Sequence, residues 1–133
     1  MIRQIAPLFF TTNIAGTVAW YEAKLGFKCL GTWQDPPVYA IVARDQHPIH
    51  FRCAAPPTAN PDKYSDELLD AYVFVEDADA LYAEYAQRGV ECNRDAVQDK
   101  PWGTREFALY DPDRNALTFY RGLTTPEKKH RSP

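Results

Sequence analysis

Cysteine is scarce and unpaired: Cys29, Cys53 and Cys92 lie far apart, are odd in number and form no CxxC spacing. Neither a zinc knuckle nor a disulfide framework is indicated, and buried free thiols in a reducing cytoplasm are expected. No apolar run approaches the roughly 18 residues of a membrane span. The opening Met1-Ile2-Arg3-Gln4 has neither the apolar core nor the cleavage site of a signal peptide. A cytoplasmic protein without a membrane partner is therefore expected. Charge of one sign is not in excess, with 15 Lys and Arg against 18 Asp and Glu and a net charge of -3. That balance speaks against a nucleic-acid partner, which asks for a basic surface, and favours cationic ligands weakly. A Gly-rich phosphate loop, a GxSxG elbow and an HExxH helix are all missing. Nothing places a base beside Cys53 or Cys92, so no catalytic residue is assigned.

What is present is an ordinary globular mixture, 45% hydrophobic and 25% charged over 133 residues, enough for one domain. Residues 2–12 read as a strand, Asn13 as a helix cap, and Ile14, Val18, Tyr21 and Leu25 as one buried helical stripe stopped by Gly26. Strands follow at 27–33, 38–44 and 48–53, separated by turn residues. The stretch 54–66, with Pro56, Pro57 and Pro61, reads as a linker. The pattern then restarts about 63 or 64 residues later: a strand at 71–75, Asp77 as cap, Leu81 and Tyr85 on one helix face, Gly89 as stop. Strands near 90–97, 104–110 and 116–121 complete it, with Asp111-Pro112-Asp113-Arg114-Asn115 as the last turn.

The expected organisation is a single α+β domain over 1–123. Module one spans 2–53, the linker 54–66, module two 67–121, and 124–133 is a frayed tail. Each module reads βαβββ, so its one helix covers one face of a four-stranded sheet and leaves the other open. Two such modules forming a curved mixed sheet would enclose a cavity, which is where a ligand is expected.

Two stretches carry a resemblance. One runs from Pro7-Leu8-Phe9-Phe10 through Trp20-Tyr21 to Leu25-Gly26-Phe27; the other is Pro101-Trp102-Gly103-Thr104-Arg105-Glu106-Phe107-Ala108-Leu109-Tyr110-Asp111-Pro112-Asp113-Arg114-Asn115. Over residues 5–121 the chain resembles the vicinal oxygen chelate superfamily of glyoxalases, extradiol dioxygenases, fosfomycin-resistance enzymes and bleomycin-binding proteins. The second stretch, with Leu81-Tyr82-Ala83-Glu84-Tyr85, is most similar to the bleomycin-binding branch. One departure stands out: Arg114 occupies a turn position where glycine is usual.

The resemblance implies a glyoxalase/bleomycin-resistance fold and a homodimer whose cavity is built from both chains. In the superfamily's enzymes a divalent ion is held at positions that fall near Ala6, His50, Asp70 and Thr118. Alanine cannot ligate and threonine is a poor transition-metal ligand, which leaves His50 and Asp70. No metal or other cofactor is therefore expected. The alternative is a metal-dependent lyase, isomerase or dioxygenase using His50 and Asp70.

With a metal discounted, the expected ligand contacts are aromatic and polar residues of the concave sheet: Trp33, Tyr39, His50, Arg52, Trp102, Arg105 and Phe107. Strand alternation sets His50 and Arg52 on the face opposite Ile49 and Phe51. Aromatic walls bind flat or cationic groups by stacking and cation–π contact. The expected function is capture of a bulky aromatic or cationic small molecule, with a bleomycin-type glycopeptide as the candidate the resemblance offers.

Overall fold

The computed structural model describes residues 1–55, 69–92 and 97–131, the last three by backbone alone. It divides into two units, 1–68 with the turn Asp111–Asn115, and 69–110 with 116–133. The expected linker at 54–66 lies mostly outside the described residues.

In unit one, β1 (Leu8–Thr11) leads to α1 (Ile14–Trp20), which continues as a π-helical turn, Tyr21–Leu25. The Asn13 side chain accepts from Gly16 N at 3.0 Å and so satisfies an otherwise orphaned N–H at the helix start. Gly26 ends the helix at φ 73°, the left-handed geometry that favours glycine. Strands β2 (Lys28–Trp33), β3 (Tyr39–Arg44) and β4 (His47–Cys53) follow. The sheet order is β1-β4-β3-β2, with β1 parallel to β4 and the other pairs antiparallel. A bulge between Cys29 and Gly31 leaves Leu30 outside the register.

Unit two repeats the plan. β5 (Ala71–Phe74) leads to α2 (Ala78–Gln87), capped by Asp77, whose side chain accepts from Ala80 N at 3.0 Å. Gly89 again adopts a positive φ, 79°. A short β6 (Gln98–Asp99), β7 (Thr104–Tyr110) and β8 (Ala116–Gly122) give the order β5-β8-β7-β6, with β5 parallel to β8. The expected strand at 90–97 is reduced to a bridge between Cys92 and Leu109 and the two residues of β6; 93–96 lie outside the described residues. The repeat of cap, helix, glycine stop and strand order is the duplication that the spacing of Asn13 and Asp77 indicated.

Both sheets bury one face. In unit one Phe9, Ala40, Val42, Ile49 and Phe51 meet Tyr21 and Leu25 of the helical segment, all at or below 6% exposure. Tyr21 packs edge-on against Phe51 with ring centroids 5.0 Å apart. In unit two Phe107, Leu109, Leu117 and Phe119 are buried with Tyr85 of α2. Alternation along each strand leaves the opposite face open.

The C-terminal segment departs from the expected frayed tail, forming α3 (Thr125–Arg131). Glu127 accounts for its order: it accepts two bonds from Arg121, at 2.7 and 2.8 Å, and one from Thr124 N. Leu123, buried beside them, donates its N–H to Gly103 O.

Candidate functional site

On the open face of unit one, the register sets Phe10, Arg52, Tyr39 and Trp33 in one row, and Leu8, His50, Ile41 and Gly31 in the next. Tyr39 links the rows. Its hydroxyl shares a 2.8 Å hydrogen bond with His50 Nδ1, and its ring meets Trp33 edge-on at 5.8 Å. The indole lies over Gly31, where a Cβ would stand in ordinary contact with it at 3.4 Å. Trp33 stays 49% exposed. Arg52 is exposed and has no ion-pair partner among the described residues. The sequence-expected residues Trp33, Tyr39, His50 and Arg52 are thus gathered on one surface.

The open face of unit two carries Phe74, Tyr120 and Glu106 in one row and Tyr72 and Thr118 in the next. Tyr72 stacks on Tyr120 with centroids 3.9 Å apart, and Phe74 lies 5.1 Å from Tyr120. Phe74 is 70% exposed, whereas Glu106 is only 6% exposed. Glu106 Oε2 accepts from Tyr72 OH at 2.7 Å and from Thr104 Oγ1 at 2.8 Å. Burial and the neighbouring carboxylate push the Tyr72 phenol above its usual range, which keeps it a donor. Trp102, at the turn before β7, lies against the same phenol and is exposed.

Two expected contacts belong elsewhere. Phe107 points to the helix side, 2% exposed, stacked on Phe119 at 5.2 Å and edge-on to Tyr82 at 5.5 Å. Arg105 also lies on that side. It binds Asp79 of α2 with two bonds of 2.8 Å and Asp99 of β6 with a third. Arg105 and Arg121 are directly paired across β7 and β8, so the like charges need the carboxylates that surround them. Alternation required one of Arg105 and Glu106 to face outward, and the open face received Glu106. Tyr72, Phe74, Tyr120 and Glu106 were missed. The available signal was the period-two pattern along β5 and β8, with aromatics on the side opposite Val73, Leu117 and Phe119.

The thiols differ from the buried set expected. Cys53 is exposed and Cys29 half-buried. Desolvation pushes the Cys92 thiol up to about 11, so it is protonated and inert at neutral pH.

The donor chemistry does not fit the divalent ion of the superfamily's enzymes. Ala6 offers no donor, and β1 presents Leu8 beside His50. His50, bonded to Tyr39 through Nδ1, offers Nε2 alone, Thr118 is a buried hydroxyl, and Asp70 Oδ2 accepts from Ala116 N at 2.8 Å. Among the described residues no three His, Cys, Asp or Glu side chains come together as a ligand set. No helix among them is long and apolar enough to cross a membrane.

Comparison with known proteins agrees with this architecture. The sequence is 22% identical to a bleomycin resistance protein of Geobacillus stearothermophilus, over 90% of this chain and 97% of that one. A glyoxalase-related enzyme from Clostridium phytofermentans superposes with a TM-score of 0.75, at 20% identity over 92% of this chain and 97% of that one. The bleomycin-binding protein from bleomycin-producing Streptomyces verticillus, solved with copper(II)-bleomycin, gives a TM-score of 0.67 at 25% identity, covering 92% and 98%. The model of the Glyoxalase/Bleomycin resistance protein/Dioxygenase superfamily matches residues 2–119. With that match over nearly the whole chain and the doubled βαβββ plan beneath it, the protein belongs to the Glyoxalase/Bleomycin resistance protein/Dioxygenase superfamily.

Proposed function

We propose that the protein is a metal-free, cytoplasmic binding protein that sequesters a bulky aromatic or cationic small molecule, of which a bleomycin-type glycopeptide is the leading candidate. No bond is made or broken; the mechanism is stoichiometric capture in an aromatic-lined cavity at a homodimer interface. The observation that carries this reading is the open face of unit one, where a half-exposed Trp33 is braced by Tyr39, which bonds His50 and pairs across the sheet with Arg52, a guanidinium with no ion-pair partner among the described residues. Apolar surface rimmed by polar side chains is a feature of ligand-binding grooves. Each ring contributes about 0.5–2 kcal/mol by stacking or cation–π contact. The Arg52 guanidinium offers a fork of donors to carbonyl or anionic oxygens of the same ligand. Trp102 supplies a second exposed indole. The bleomycin resistance relatives support the choice of ligand.

Titration with metal-free bleomycin, followed by tryptophan fluorescence, tests the reading. Saturable quenching is expected at one ligand per chain. Trp33→Ala should weaken binding by about tenfold, the equivalent of one good ring contact, with little change in melting temperature. Metal analysis of protein purified without chelator should find far less than one equivalent of any transition metal. Near-stoichiometric Ni, Zn, Mn or Fe would sink the metal-free reading and return the enzyme alternative.

A further inference from the structure

The most unusual polar group in unit two is Glu106, a carboxylate 6% exposed on the face of the sheet opposite α2. Its two donors, Tyr72 and Thr104, both bond Oε2. Oε1 accepts from no described residue, and no described buried side-chain oxygen lacks a partner, so Oε1 keeps its access to solvent. A buried carboxylate ordinarily sits beside a cation. Here the arginines on the flanking β7 and β8 positions, Arg105 and Arg121, point to the opposite face and are neutralised there by Asp79, Asp99 and Glu127. Around the free oxygen stand the stacked pair Tyr72 and Tyr120, with exposed Phe74 beside them and Trp102 against the Tyr72 phenol. Lys100 stands over the Trp102 ring at 5.9 Å but makes no ion pair with Glu106. A carboxylate oxygen with no ion pair to a described residue, set among aromatic rings, is complementary to a nitrogen cation carried on an apolar or aromatic body.

We infer that Glu106, held by Tyr72 and Thr104 beneath the aromatic face of unit two, is a specificity-determining residue that receives a protonated amine of the ligand. This rests on the binding reading above and deepens it: the ligand is required to carry an ammonium or guanidinium close to a flat apolar group. Oε2 is committed to the two hydroxyls, which fixes the carboxylate plane and aims Oε1 outward. The ligand's N–H donates to Oε1, while its apolar body lies against Tyr72, Tyr120 and Phe74.

Tryptamine, its neutral hydroxyl analogue tryptophol, and indole-3-propionate separate charge from shape, and amide chemical shifts of labelled protein read the binding site. Tryptamine should bind at least about tenfold tighter than tryptophol, the effect of one charge-assisted hydrogen bond. Its shifts should centre on Tyr72, Glu106 and Tyr120, and indole-3-propionate should bind weakest. Glu106→Gln, which can still accept from both hydroxyls, should abolish the preference for tryptamine. Equal binding of tryptamine and tryptophol, no binding of tryptamine, or a preference that survives Glu106→Gln would overturn the assignment. Should that variant fail to fold, the wild-type comparison of the two analogues decides alone. A tryptamine preference without bleomycin binding refutes the bleomycin reading and leaves the Glu106 site standing; bleomycin binding without the preference refutes the Glu106 site only.

Discussion

Arg114 occupies the left-handed region, at φ 67°, in the turn between β7 and β8. A side chain with a Cβ costs about 1 kcal/mol or more in that conformation. Arg114→Gly should therefore stabilise the protein by up to about 1 kcal/mol, part of the relief being offset by a more flexible unfolded chain. Chemical denaturation measures it. The turn tolerates arginine because Asp111, 3% exposed, organises it. Oδ1 accepts from the backbone N–H groups of Asp113 and Asn115, and Oδ2 from Tyr21 OH at 2.7 Å and from Asn115 Nδ2. Desolvation nevertheless raises the Asp111 carboxyl above its ordinary 3.8, outweighing these bonds. The stabilising contribution of protonation is fully present below the unfolded value and is lost as pH rises through the raised folded value. Asp111→Asn does not titrate. Its stability relative to wild type should therefore improve as pH climbs through that window and level off above it, as thermal melts at a series of pH values would show. Sequence alone identified the turn and its unusual Arg114. That Asp111 is the buried centre of the turn, bonded to Tyr21 ninety residues away in sequence, depends on tertiary packing that no local pattern encodes.

At the scale of elements, caps and stops were the most legible features, because they depend on short-range chemistry. Asn13 and Asp77 each close their helix through one side-chain bond, and Gly26 and Gly89 each take a positive φ. Strand facing was legible where alternation was clean, as in Ile49-His50-Phe51-Arg52. It was ambiguous at Arg105-Glu106-Phe107, where a buried acid stands on the open face and an arginine on the covered one. Aromaticity suggested that Phe107 lined a site; parity along β7 puts it in the core. A consequence follows for Arg105, which ties β7 to α2 and β6 through Asp79 and Asp99. Arg105→Leu should cost only about 1 kcal/mol, because the ion pairs are partly exposed and screened. Ligand affinity should be unchanged in the same variant, since the guanidinium faces away from the open side; a large loss of affinity would contradict that placement. The helical C-terminus was missed because its order comes from Glu127 reaching back to Arg121, a contact invisible in a polar tail's composition.

For the molecule as a whole, large apolar residues remain exposed on both open faces, Leu8 and Trp33 on one and Tyr72 and Phe74 on the other. Apolar surface of this sort favours association. A homodimer is therefore expected at micromolar concentrations, and light scattering coupled to size-exclusion chromatography will measure its mass. A monomer at all concentrations would remove the dimeric cavity from the proposal. The repeated strand order has a further bearing on how such a protein changes over time. Each sheet closes its own hydrogen-bond ladder and its own core, so outward-facing positions are replaceable without disturbing the framework that carries them. One half presents a guanidinium and an indole on either side of a tyrosine, and the other a carboxylate beneath tyrosines. The repeated plan thus offers two separately adjustable surfaces, and on the binding reading proposed above a change of ligand needs only a handful of substitutions on one of them.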